Sequence, residues 1–132
     1  MPESLERQLL KCAPYFPVAS VEHTATWYET VLGFRRDYAA GTPPVFAILS
    51  RDGLPLMLRL VNDAARIVPN ESQGGTWDAF FWVADVDALF AELSGRGAPV
   101  AYGPVIQDAY HMKEFAVRDV DGHVLGFGQS WP

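Results

Sequence analysis

The chain has 132 residues, 49% hydrophobic and 20% charged, with one cysteine and a net charge of −6. That is one domain's worth of sequence with apolar residues enough for a packed core, which excludes a disordered or fibrous polymer. Ten basic residues against sixteen acidic ones, with no basic cluster, argue against a nucleic-acid partner. Cys12 alone cannot form an internal disulfide, no apolar run reaches the ~18 residues of a membrane-spanning helix, and no basic-then-apolar leader opens the sequence, so a cytoplasmic protein with no membrane partner is expected.

The first residues read as a short helix capped at Ser4, with Leu5, Leu9 and Leu10 on one side and Cys12 packed where that helix meets a strand. A strand is predicted over 13–19, and Ser20 is placed to cap the helix that follows. Val21, Ala25, Tyr28 and Leu32 then recur at spacings of four, three and four, one buried helical stripe that stops at Gly33. Strands are predicted over 34–39, 43–50 and 54–61, the last two joined by a tight hairpin at Arg51-Asp-Gly53. A linker over about 63–76 contains Pro69, Asn70, Gly74 and Gly75. The series then starts again: a strand over 77–84, a cap at Asp85, a helix with Val86, Leu89, Phe90 and Leu93 on one side, a stop at Gly97, and strands over 98–104, 111–118 and 123–129 with a turn at Val120-Asp-Gly122.

This second series is a repeat of the first. Val18-Ala-Ser-Val-Glu22 returns as Val83-Ala-Asp-Val-Asp87 at an offset of 65, and Phe46-Ala-Ile-Leu with Asp52-Gly53 and Leu56 returns as Phe115-Ala-Val-Arg with Asp121-Gly122 and Leu125 at an offset of 69. The expected fold is α+β, a single domain over 1–132 made of two βαβββ modules, about 12–62 and 77–130, whose curved mixed sheets surround a concave cavity. Each sheet has a helix on one face only, so the bare faces are expected to enclose a shared hollow, either within one chain or across a homodimer.

Strand alternation then sorts the side chains. Phe16, Val18, Phe46, Ile48, Leu56, Leu58, Phe81, Val83, Phe115, Val117, Leu125 and Phe127 are predicted to face the helices. Tyr15, Val45, Ala47, Leu49, Met57, Arg59, Phe80, Trp82, Glu114, Ala116, Arg118 and Val124 are predicted to face the hollow, with Tyr102, Tyr110 and Met112 on its rim. His23 and His123 read as solvated surface residues. Arg59 and Arg118 either pair inward with Glu114 and Asp78 or leave those acids to a cationic ligand.

Trp27-Tyr-Glu-Thr-Val-Leu-Gly-Phe34 and Glu114-Phe-Ala-Val-Arg-Asp-Val-Asp-Gly-His-Val-Leu-Gly-Phe127 resemble the vicinal-oxygen-chelate superfamily of glyoxalase, bleomycin-resistance and ring-cleaving dioxygenase proteins, and within it the bleomycin-resistance-like branch. The likeness covers about residues 12–130. Enzymes of that superfamily hold a divalent ion with His or Glu at four strand positions, which the resemblance places at Ala13, Met57, Asp78 and Gly126. Only Asp78 offers a hard donor, so no metal and no other cofactor are expected.

The resemblance therefore implies a metal-independent homodimer that sequesters a bulky aromatic or cationic small organic molecule with no catalytic residue, and the alternation of faces, with the rim, sets Tyr15, Leu49, Met57, Arg59, Phe80, Trp82, Tyr102, Tyr110, Met112 and Glu114 as its contacts. The alternative is a lyase, isomerase or dioxygenase of the same superfamily, using a displaced metal at Asp78, His111 and Glu114 or acid–base work by Glu114 or Asp78.

Overall fold

The computed structural model describes residues 6–132. Its elements run β1 (Tyr15–Val18), α1 (Val21–Val31), β2 (Arg35–Ala40), β3 (Phe46–Arg51), β4 (Leu54–Leu60), β5 (Ala79–Trp82), α2 (Val86–Gly95), β6 (Val100–Gln107), β7 (Met112–Arg118) and β8 (Val124–Ser130), with two short 3₁₀ turns in the linker, Ala64–Arg66 and Asn70–Gln73. Two four-stranded sheets result, ordered β1-β4-β3-β2 and β5-β8-β7-β6. In each, the first strand runs parallel to the last and the remaining pairs are antiparallel. The duplicated βαβββ plan is thus present, with no strand exchanged between the sheets.

The helix caps are as the sequence predicts. Ser20 accepts a hydrogen bond from the His23 backbone N–H at the start of α1, and Asp85 accepts one from Ala88 at the start of α2. Val21, Ala25, Tyr28 and Leu32 are all buried. The N-terminal helix is not: Ser4 and Leu5 lie outside the described residues, whereas residues 7–14 have no regular structure, Leu9 and Leu10 are exposed, and Cys12 is exposed rather than packed. Leu9 and Leu10, with no surface to bury them, hold no helix in water. No helix among the described residues is long and apolar enough to cross a membrane.

One strand is turned over relative to expectation. Ala47 and Leu49 are buried in the core, whereas Phe46 and Ile48 are half-buried on the opposite face. Leu49 pairs with Leu56 and Ala47 with Leu58, while Ile48 pairs with Met57, and cross-strand partners share a face. The cause is turn length. Arg51 faces Leu54 across a two-residue turn, but Arg118 faces Val124 across a longer one. Ile48 opposite Met57 therefore matches Ala116 opposite Gly126, an offset of 68 (116 less 48), and not 69. A one-residue slip inverts every side chain of a strand, so Leu49 is a core residue and not a ligand contact.

The halves meet through their helix-bearing sides. Phe16, Tyr28, Leu49 and Leu58 of the first share one buried cluster with Leu93, Phe115, Leu125 and Phe127 of the second. Each helix also grips the other half's hairpin turn. From α1 the Tyr28 hydroxyl donates to Asp119 at 2.6 Å and Thr24 Oγ1 donates to Asp121 at 2.9 Å. In the reciprocal contact Arg51 lies in a two-pronged bridge on Glu92 of α2, both distances 2.8 Å. Beside that bridge an apolar groove of about 360 Å³ runs between the β3–β4 turn, α2 and β5, which leaves Leu89 only half-buried.

His123 belongs to the first of these clasps and is buried, not a surface residue: it stacks on Phe16 with ring centroids 4.3 Å apart, and its Nδ1 lies 3.3 Å from Asp119. Burial alone pushes its pKa down, but the hydrogen bond to Asp119 and the charges of Asp119, Asp78 and Asp121 outweigh that and hold it above the ordinary 6.5. A folded-state pKa above the unfolded one stabilises the fold fully below the unfolded value, and the gain is lost as pH rises through the folded value. Thermal denaturation is accordingly expected to show a lower Tm at pH ~8.5 than at pH ~6, with the difference reduced in His123→Gln; an unchanged slope in that variant refutes the assignment.

Candidate ligand-binding site

The sheet faces that carry no helix are lined by aromatic side chains. On the first, Tyr15, Met57 and Arg59 lie together as expected, and Tyr38, Phe46 and Ile48 join them. The Tyr15 and Phe46 rings meet edge to face at 6.3 Å, Tyr38 lies 6.2 Å from Phe46, and the Arg59 guanidinium sits over Tyr15 at 5.7 Å. On the second, Phe80, Trp82, Tyr102, Tyr110, Met112 and Glu114 are brought together. Trp82 packs edge to face on Phe80 at 5.1 Å, and Phe80 packs in the same way on Trp77 at 4.8 Å. Trp77 escaped the sequence reading because alternation over the predicted strand 77–84 sets it on the helix side with Phe81, whereas β5 begins only at Ala79 and leaves Trp77 free to turn to the open face.

What signals Trp77 is glycine on the neighbouring strand. Gly126 and Gly128 of β8 stand opposite Phe80 and Trp82 of β5. A Cβ on Gly126 would lie 2.6 Å from Trp77 Cδ1 and 2.7 Å from Phe80 Cδ2; one on Gly128 would lie 2.7 Å from Phe80 Cζ, 2.8 Å from Met112 Cε and 3.3 Å from Glu114 Cβ. The two glycines are a bare strip of backbone against which Trp77 and Phe80 pack, with no room for a Cβ. Two glycines alternating with apolar residues in a strand beside an aromatic strand is a signal the sequence does hold.

At the centre is Glu114, fully buried although it is an acid. It accepts hydrogen bonds from the Tyr102 hydroxyl at Oε2 and from the Tyr110 hydroxyl at Oε1. Tyr102 is in turn the acceptor for Trp77 Nε1–H at 2.7 Å. Burial, then the bond to Glu114, raises both phenols, Tyr110 to about 12 and Tyr102 further, so each keeps its proton and acts as donor. Gly103, at φ +84, lets β6 bulge beside Tyr102, since a Cβ there would fall 2.4 Å from the Glu114 carbonyl oxygen. Arg118 does not join Asp78 but pairs with Glu71 of the linker at 2.8 Å.

The four positions at which the superfamily's enzymes hold an ion do not suit one. Ala13 and Gly126 lack donors, and Trp77 and Phe80 fill the space above Gly126. Both Asp78 oxygens accept backbone N–H groups, Oδ1 from Asn70 at 3.0 Å and Oδ2 from Val124 at 2.8 Å, so this carboxylate ties the linker to β8. His111 is exposed, and Asp78, His111 and Glu114 form no group of converging donors among the described residues. Asp119, Asp121 and His123 do converge, but their carboxylate oxygens already accept from Tyr28, Thr24 and the backbone of Ala19, Asp121 and His123. That cluster is the clasp between the halves.

The chain matches the model of the Glyoxalase/Bleomycin resistance protein/Dioxygenase superfamily over residues 9–127, and it belongs to that superfamily. Among solved structures it is similar to TioX from Micromonospora sp. ML1, at 21% identity and a TM-score of 0.73, with 92% of this chain and 98% of that one covered. It is also similar to the bleomycin-binding protein from bleomycin-producing Streptomyces verticillus complexed with copper(II)-bleomycin, at 21% identity and a TM-score of 0.65, covering 92% and 96%. A glyoxalase-related enzyme from Clostridium phytofermentans matches at 14% identity and a TM-score of 0.66, covering 96% and 99%. At such identities the likeness establishes the fold alone. No curated protein matches the sequence.

Proposed function

We propose that the protein binds a bulky, planar aromatic or cationic organic compound without a metal ion and protects by holding it unaltered, in a groove that two copies of the chain form from their open sheet faces. The observation that carries this reading is the bareness of those faces: Trp82 is 73% exposed, Tyr15 and Tyr38 each 54%, and among the described residues no hydrogen bond or ring pair joins one open face to the other. Aromatic surface on this scale marks a place where something binds. A second copy, bringing the first sheet of one chain over the second sheet of the other, supplies the missing wall. A cytoplasmic setting suits the free Cys12 thiol. The bleomycin-binding protein, which shares the fold, carries copper(II)-bleomycin, and that ligand is a natural first probe. An enzyme with a displaced metal or an acid–base carboxylate is the weaker reading, because both Asp78 oxygens are held by backbone donors and Asp78, His111 and Glu114 form no converging group among the described residues.

The test is a fluorescence titration of the purified chain with copper(II)-bleomycin, metal-free bleomycin and ethidium, beside sedimentation to fix the oligomeric state. A dimer with saturable quenching by at least one probe is expected; a monomer silent to all three refutes the proposal, as does stoichiometric bound metal lost on substitution of Asp78 or His111. Trp82→Ala is expected to weaken a bound planar probe by at least about 1 kcal/mol, the scale of one aromatic contact. Unchanged affinity removes Trp82 from the groove.

A further inference from the structure

Glu114 is a buried acid with no basic partner. Its hydrogen bonds come from two neutral phenols, and no ion pair among the described residues includes it. Taking a carboxylate out of water costs several kcal/mol unless an opposite charge meets it. The other deeply buried acid, Asp119, has His123 beside it. Glu114 has only hydroxyl dipoles, on a face that otherwise presents rings.

The two phenols are held differently. Tyr102 stands on β6, is half-buried, and is gripped by Trp77 as well. Tyr110 sits in the turn between β6 and β7, is 46% exposed, and its hydroxyl makes no other hydrogen bond among the described residues. The next residue, His111, has φ +55, a region that side chains other than glycine occupy sparsely. Of the two donors, Tyr110 is the one free to leave. Behind the carboxylate, Phe80 and Met112 converge on Gly128, and Trp82 continues the aromatic wall outward.

From this geometry we propose that Glu114 is the counter-charge for a protonated amine or guanidinium on the ligand, and that Tyr110 is a displaceable gate whose hydroxyl holds Glu114 Oε1 until that cation replaces it. This rests on the reading of the open face as an organic-ligand site and adds the charge of the ligand and the residue that admits it. The ligand's N–H donates to Oε1 where the phenol did, Tyr102 keeps Oε2, and the planar part lies along Phe80 and Trp82. A neutral donor bonds the carboxylate more weakly than a cation does and is the poorer competitor for Tyr110's place. Cationic and neutral compounds of one shape are thereby separated.

The experiment is calorimetric titration of the full chain with naphthylmethylamine, which is cationic, and with naphthylmethanol, its neutral counterpart. The wild-type protein is expected to prefer the amine by about tenfold or more, as a charge-assisted hydrogen bond requires. Glu114→Gln should narrow that ratio to within about twofold, and Tyr110→Phe, which removes the competing hydroxyl, should tighten the amine severalfold. Equal binding of the two probes to the wild type, or a preference that survives Glu114→Gln, overturns the inference and leaves the open-face reading standing. Failure of both probes, and of copper(II)-bleomycin, fells both. Should Glu114→Gln not fold, Tyr110→Phe decides alone: an amine affinity that stays the same or weakens overturns the gate.

Discussion

Asp119→Ala is expected to destabilise the protein by about 3–5 kcal/mol, the range for removing one member of a buried charged network. Asp119 gathers four donors at one buried place: the Tyr28 hydroxyl at 2.6 Å, the backbone N–H groups of Asp121 and His123 at 2.9 Å each, and the His123 ring at 3.3 Å. Tyr28 is fully buried, its phenol held well above the ordinary range by burial and then by the Asp119 charge, so it remains a donor in need of an acceptor. Alanine leaves these groups without water or partner, and each buried unmet group costs about 1–3 kcal/mol. Denaturant unfolding followed by circular dichroism measures the loss. Asp119→Asn, which keeps one acceptor oxygen, should lose less, and Tyr28→Phe should cost much less in the Asp119→Ala background than alone, since the two side chains form one unit. A loss below about 1 kcal/mol for Asp119→Ala contradicts the network's role.

Gly126→Ala is expected to cost about 1–3 kcal/mol, the price of overpacking a site with no room. The added methyl meets Trp77 at 2.6 and 2.7 Å and Phe80 at 2.7 Å. Neither ring can bend away at its tip, and Trp77 is further tied by its bond to Tyr102. The substitution therefore has to lift Trp77, and a shift in tryptophan emission should accompany the stability loss. Gly128→Ala is expected to be milder, because one of its neighbours is the flexible end of Met112. Full stability with unchanged emission in Gly126→Ala contradicts the packed strip.

The architecture was legible because a duplicated sequence states its pattern twice. Ser20 and Asp85 cap equivalent helices, and the stripe from Val21 to Leu32 is buried as its spacing requires. Leu49 was misplaced because a repeat offset is blind to a turn that lengthens on one side only, and one residue suffices to invert a strand. The open faces were readable in part: Tyr15, Met57, Arg59, Phe80, Trp82 and Glu114 follow from alternation, whereas alternation over 77–84 sends Trp77 to the wrong face because the strand begins two residues later, at Ala79. Tyr102 and Tyr110 could be placed near the hollow, yet their grip on Glu114 depends on the β6 bulge and a left-handed turn at His111, which no periodicity encodes. His123 reads as polar and turn-borne; only the arrival of β1 from the other half, with Phe16 stacked on its ring, buries it.

The repeat gives the two open faces unlike characters from one ancestral plan. Where β4 sets Met57 and Arg59, β8 sets Gly126 and Gly128; where β3 sets Phe46, β7 sets Glu114. One half has become a hard slab, its rings pressed onto bare backbone around a buried carboxyl, while the other sets the long, pliable Met57 and Arg59 among its rings. Copying a module frees each descendant to specialise, because each keeps all four of its strands and neither depends on the other's ladder. For the proposed guest, one surface would then be suited to dictate orientation and its sibling to mould itself to outline, a division of labour for which a single undoubled sheet has no spare positions.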